Sequence, residues 1–205
     1  MHPEVLDKKR LEIFKQLHRL KGFVLAGGTA LALQLGHRVS FDFDFFSHQF
    51  IAKDVLNKVK RIFPDRNITP LVNNKDELTV LVDGVKTSFI YYPFSVGGKR
   101  ILYQGVPLMP ADWIAVTKAY TMGRRGSWKD YVDVFYALKQ KVISLPMLIK
   151  RAQKVFGQAF HARLFLEQLI DLRDIEDAEL IFLKKSVSKK TVQTFFEQQI
   201  KKINT

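Results

Sequence analysis

Apolar residues at Leu11, Phe14, Leu17 and Leu20 recur at helical spacing after Pro3, which predicts an opening amphipathic helix. Phe23-Val24-Leu25-Ala26 is then a short apolar run stopped by Gly27-Gly28, and residues 29–35 read as a helix closed by Gly36. A strand and a helix are thus joined through a glycine pair. The period changes to two at residues 41–45. Phe41, Phe43 and Phe45 alternate with Asp42 and Asp44, and a strand would set three aromatics on one face and both carboxylates on the other. Ile51, Val55, Val59 and Ile62 form the apolar side of a helix over 51–63 that Pro64 ends. Segments 78–82 and 85–92 flank Asp83-Gly84, a strong hairpin signal, and 101–104 adds a further strand.

From Pro110 onward β-branched runs thin out and helical patterns take over, at 111–122, 129–139, 145–156, 159–172 and 189–203. Ser144, Ser188 and Ser127 stand at N-cap positions, and Pro146 suits a first helical turn. The expected architecture is therefore α+β: an αβ lobe over residues 1–108, then an all-helical lobe over 109–205. There is no internal repeat or low-complexity segment.

Composition sharpens this picture. The 205 residues, 47% hydrophobic, suffice for one substantial core or two small ones. No apolar run approaches the roughly 20 residues that span a bilayer, and Met1-His2-Pro3-Glu4 does not open a signal peptide, so no membrane is expected and a cytoplasmic location is. Cys is absent, which excludes disulfides and thiolate chemistry and leaves oxygen or imidazole for any metal. Lys and Arg outnumber Asp and Glu by 33 to 20, a formal charge of +13 that favours nucleotides or nucleic acid as partners. The excess runs from Lys8-Lys9-Arg10 through Arg124-Arg125 to Lys201-Lys202, so no single basic arm carries it.

Two carboxylates on one strand face make a hard oxygen site suited to Mg²⁺, which takes one or two carboxylates plus substrate phosphates. An Asp-x-Asp is by itself no more than a common surface pattern. Gly27-Gly28, however, stands where a strand meets a helix, and there the absent side chains and the helix N-terminal N–H groups let backbone approach phosphate. The string Leu25-Ala26-Gly27-Gly28-Thr29-Ala30-Leu31, continued by Gly36-His37-Arg38-Val39-Ser40 and Asp42-Phe43-Asp44-Phe45-Phe46, resembles the AbiEii/AbiGii toxin family of the polymerase beta nucleotidyltransferase superfamily. Asp112-Trp113-Ile114-Ala115-Val116-Thr117-Lys118 and Lys129-Asp130-Tyr131-Val132-Asp133 resemble that family's later helical motifs.

The resemblance implies a mixed nucleotidyltransferase-like sheet and a magnesium-dependent (or manganese-dependent) transferase. Such an enzyme would use a nucleoside triphosphate, modify tRNA or another RNA end as a toxin, and often be paired with an antitoxin. Gly27, Gly28 and Thr29 would hold triphosphate oxygens, Asp42 and Asp44 the metal, and Lys118 would neutralise phosphate charge. Lys118 lies in a nearly apolar helix, so it either faces a polar cleft, with Asp133 or Asp130 as partner, or snorkels to the surface. Asp130 also fits a capping box with Ser127. His37-Arg38 reads equally as a phosphate or base contact and as an exposed loop pair; Arg124-Arg125 reads as an anion clamp or as solvated charge.

One departure stands out. Related transferases place a third carboxylate on a neighbouring strand, whereas the segment here is Lys86-Thr87-Ser88-Phe89-Ile90, with Ser88 at the acid's expected place. Two rivals therefore remain: a catalytically reduced protein binding nucleic acid or a partner, and a protein-modifying nucleotidyltransferase.

Overall fold

A computed structural model describes residues 1–175 and 178–203. The described chain divides into two compact units, Met1–Pro110 and Ala111–Thr205. The fold class is α+β: one mixed seven-stranded sheet and eight α-helices among the described residues. No described helix is long and apolar enough to cross a membrane.

The first unit opens with α1 (Lys8–Leu17), capped by Asp7, whose carboxylate accepts from the Arg10 N–H at 2.8 Å. Then follow β1 (Val24–Ala26), α2 (Gly27–Leu35), β2 (Phe43–Ser47) and α3 (Val55–Ile62). The sheet is completed by β3 (Ile68–Asn73), β4 (Glu77–Val82), β5 (Val85–Tyr91), β6 (Ile101–Tyr103) and β7 (Val106–Leu108). Across the sheet the order is β3-β4-β5-β2-β1-β7-β6. β2 runs antiparallel to β1 and parallel to β5, and β1 runs parallel to β7.

One face of this sheet is dry. Phe43 and Phe45 are buried, with Phe45 stacked on Phe89 at 5.4 Å between centroids and Phe14 of α1 reaching Phe43 at 6.0 Å. Phe41 does not join them. It precedes β2, is 41% exposed and lies under the Arg10 guanidinium, so the alternation buries two aromatics rather than three. The hairpin forms as the Asp83-Gly84 signal requires, with φ of 48° and 82° at the two turn residues, a conformation the right-handed strand twist favours.

Two strands give no clear period in the sequence. β3 contains Pro70, which cannot donate to a ladder; it is tolerated because β3 is a sheet edge and its register shifts between Pro70 and Val72. β7 is three residues long and includes Pro107.

In the second unit α4 (Ala111–Met122) packs on α5 (Trp128–Lys139) and α6 (Leu145–Phe156), while α8 (Lys189–Lys201) packs on α5 and on α7 (Ala162–Ile170). Ser144 and Ser188 cap α6 and α8 through their hydroxyls. Ser127 occupies the N-cap of α5 but makes no side-chain cap bond, so the capping box with Asp130 is not formed. The helix expected over 159–172 is shorter, because a 3-10 turn at Gly157–Ala159 precedes it.

Candidate active site

The glycine pair is the first turn of α2 itself rather than a loop before it. Its N-cap is Ala26, which has no side chain able to accept from the leading N–H groups, so the helix start offers backbone donors. Gly27 has a φ of 64°, and a Cβ there would stand 2.7 Å from Asp44 Oδ2. A Cβ at Gly28 would stand 2.6 Å from an Arg38 guanidinium nitrogen and 3.3 Å from Ser40 Oγ. Both glycines are thus required by close approach, and what approaches is a carboxylate at one and a guanidinium at the other.

The register explains how the carboxylate arrives. Ala26 pairs with Asp44 across β1 and β2, so the residue after Ala26 meets the Asp44 side chain. Asp44 is half-buried, while Asp42 is exposed and immediately precedes the strand instead of lying on it. Thr29 is buried, and its hydroxyl donates to the Asp42 carbonyl and lies 2.8 Å from Ser40 Oγ. That hydroxyl is committed to fixing the lead-in to β2 and is not turned toward a ligand, which leaves the backbone N–H at this helix start as the donor Thr29 has to offer.

His37 and Arg38 are 0% and 4% exposed, so the exposed-loop reading of this pair fails. The Arg38 guanidinium donates to the Val39 carbonyl at 3.0 Å and lies against Gly28. A fixed positive charge thereby sits beside the helix start. Ser40 was not singled out from sequence, although it lies within the Gly36-to-Phe46 string.

On the other side of Asp44, Ser88 of β5 is its register partner and is 2% exposed. Thr79 of β4 pairs in turn with Ser88, and its Oγ1 lies 2.9 Å from Ser88 Oγ and 2.5 Å from Glu77 Oε1. A polar row of Asp44, Ser88 and Thr79 therefore crosses three strands on one face. Alternation alone could not reveal it, since it depends on which strands become neighbours. Asp83 is held elsewhere: its carboxylate accepts from the Asn67 N–H at 2.8 Å and from Arg66 at 2.8 Å, and these contacts hold it below its ordinary value.

In the second unit the Lys118 ammonium lies 2.6 Å from Asp130 Oδ1 and 2.9 Å from Asp133 Oδ2, and both carboxylates are fully buried. The Lys118 side chain is only 9% exposed, so it does not snorkel. Arg125 adds a second cation to Asp130 at 3.0 Å. Arg124 stays exposed, with its guanidinium stacked 3.5 Å from the Tyr120 ring centroid and donating to the Tyr120 carbonyl at 3.1 Å.

Among the described residues no group of three or more His, Cys, Asp or Glu side chains is ready to hold a metal. The Asp44 carboxylate beside the helix start, with Asp42 two residues away, nevertheless suits Mg²⁺, which takes one or two carboxylates and completes its shell with phosphate oxygens and water.

Residues 14–72, which include Gly27, Gly28, Arg38, Asp42 and Asp44, match the family described as Nucleotidyl transferase AbiEii toxin, Type IV TA system. The uncharacterized protein aq_aa25 of Aquifex aeolicus (strain VF5) is 28% identical over 197 residues, covering 95% of this chain and 94% of that one. A candidate nucleotidyltransferase from H. pylori shares the fold at 19% identity, with 97% and 98% of the two chains covered and a TM-score of 0.59. MenT4, the nucleotidyltransferase toxin Rv2826c from Mycobacterium tuberculosis H37Rv, does so at 17% identity, 92% and 82% coverage and a TM-score of 0.58. Residues 14–72 are therefore similar to the nucleotidyltransferase AbiEii toxin family, and the chain has a nucleotidyltransferase-like α+β fold.

Proposed function

We propose that this chain transfers a nucleotide from a nucleoside triphosphate to a hydroxyl at the end of an RNA such as tRNA. Asp42 and Asp44 would hold Mg²⁺ (or Mn²⁺). The observation that carries the reading is the approach of Asp44 Oδ2 to within 2.7 Å of the space a side chain would fill at Gly27. A metal-binding carboxylate and a phosphate-binding helix start thus share one wall. The net charge of +13 suits an RNA acceptor, and the similarity to a family described as Type IV TA system favours a cognate antitoxin. A cytoplasmic site of action follows from the same reading.

In such a transfer the acceptor oxygen bonds to the α-phosphorus, the bond to the β-phosphate oxygen breaks, and pyrophosphate leaves. The metal, when bound, would offset charge on the phosphate oxygens. Backbone N–H groups of Gly27, Gly28 and Thr29 would orient the leaving phosphates, with Arg38 beside them. The acceptor proton goes to water or a phosphate oxygen, because a serine hydroxyl at position 88 is no base near neutral pH.

That same Ser88 favours a second reading, a protein that binds triphosphate or nucleic acid without turning over. Incubation with each labelled triphosphate, total RNA and cell lysate separates the readings. Magnesium-dependent label on RNA, lost in the Asp42→Asn/Asp44→Asn variant, is expected. Label on protein would replace the acceptor, and binding without label would establish the second reading.

A further inference from the structure

Two residues beyond Asp44 on the same face of β2, Phe46 pairs with Val24 of β1 and borders a pocket of about 270 Å³. Met109, Pro110 and the Gly97-Gly98 turn complete its apolar and backbone walls, and His48, Gln49 and Arg100 supply its polar rim. Phe46 stacks face to face on Tyr92 at 4.3 Å between centroids and 11° between planes, so each ring is held flat by the other and the stack has a fixed aromatic face. The volume falls just under the roughly 300–1,000 Å³ typical of drug-sized ligands, which leaves room for one ring system and not for a peptide helix.

The rim has directional chemistry. His48 Nδ1 lies 3.0 Å from the Tyr92 carbonyl, and a carbonyl can only accept, so Nδ1 carries the proton and Nε2 of the neutral ring accepts. Gln49 adds an amide with both donors and an acceptor, and exposed Arg100 adds a cation. A planar heterocycle with edge donors and acceptors, attached to an anion, matches this set.

Position selects among such ligands. Val24 is three residues from Gly27, roughly 10 Å along an extended strand, and Asp44 lies between the glycine turn and the pocket. A single extended nucleoside triphosphate can span that distance with its phosphates at Gly27-Gly28 and its base at Phe46.

We infer that the Phe46–Tyr92 pocket receives the nucleobase of the donor triphosphate. The inference rests on the donor site proposed above. Base stacking on an aromatic platform adds on the order of tenfold or more to affinity.

The test compares inorganic tripolyphosphate with ATP, GTP, CTP and UTP by calorimetry on the full chain with Mg²⁺. At least one nucleoside triphosphate should bind tenfold or more tighter than tripolyphosphate. Phe46→Ala and, separately, the exposed and uncharged Gln49→Ala should each erase most of that difference while leaving tripolyphosphate affinity unchanged. A thermal melt confirms that each variant is folded, and Gln49→Ala keeps the test valid if Phe46→Ala is not. Equal affinities in the wild type, or variants that weaken RNA binding and not triphosphate binding, would overturn the base pocket alone. Absence of any Mg²⁺-dependent tripolyphosphate binding would instead overturn the donor site beneath it.

Discussion

Asp44 and Ser88 face each other in the parallel pairing of β2 with β5, so the neighbour on β5 of the carboxylate proposed to hold the metal is a buried hydroxyl. Ser88→Asp would place a second carboxylate beside the first. Without divalent metal the variant should be about 1–3 kcal/mol less stable than wild type, the cost of a poorly satisfied buried polar group. Millimolar Mg²⁺ should recover most of the loss, and turnover should rise. Urea denaturation with and without Mg²⁺ reads this directly, and a loss indifferent to the metal would separate position 88 from the metal site.

Gly27 and Gly28 should respond differently to the same change. Gly27→Ala meets the Asp44 carboxylate and a left-handed φ of 64°, which costs about 1–2 kcal/mol before any displacement. Gly28→Ala meets the buried Arg38 guanidinium and, at 3.3 Å, Ser40 Oγ, but its φ is not left-handed and alanine favours the helix by roughly 1 kcal/mol, which offsets part of the cost. We expect Gly27→Ala to lower the melting temperature more than Gly28→Ala does. Both should weaken triphosphate binding in calorimetry.

Lys118→Met leaves Asp130 and Asp133 fully buried with Arg125 as the remaining cation on Asp130. Breaking a buried pair in this way costs about 3–5 kcal/mol. The triple variant Lys118→Met/Asp130→Asn/Asp133→Asn removes the stranded charges and should regain much of that stability. If single and triple variants unfold at the same denaturant concentration, the cluster is not an electrostatic unit.

Asp83 gives a pH signature. Its carboxyl is held below its ordinary 3.8 first by the Asn67 backbone N–H and then by Arg66. A depressed folded-state value means the contribution is present above 3.8 and is lost as pH falls through the lower folded value. Asp83→Asn keeps a residue tolerant of the left-handed turn but removes the charge. Melting curves of the two proteins should therefore differ near pH 7 and converge as the pH drops below about 4. A gap that persists at pH 2 would point to the hairpin turn instead of the charge.

The elements that sequence reveals well here are those with a local cause. Asp83-Gly84 dictates a turn by its own φ values, and Val55, Val59 and Ile62 dictate a helix by their spacing. Pro70 obscures β3 because edge position, not composition, is what makes proline acceptable there. Phe41 misleads because alternation runs past the point where pairing stops. At the candidate site, the glycines and Asp44 are visible as types, yet their 2.7 Å approach follows from the β1–β2 register. The burial of Arg38 and the Phe46–Tyr92 platform need the tertiary fold, since neither is implied by its neighbours in the chain.

β1 has a bearing on when the protein becomes competent. It pairs with β2 on one side, close in sequence, but its other neighbour is β7, where Leu25 meets Leu108. At about 5–20 residues per second, β7 leaves the ribosome seconds after the carboxylate strand, and loop closure over so long a span is slow. Until then β1 has an open edge and no complete sheet holds α2 against Asp44. The candidate site is therefore assembled only in the second half of synthesis, after β7 has closed the open edge of β1.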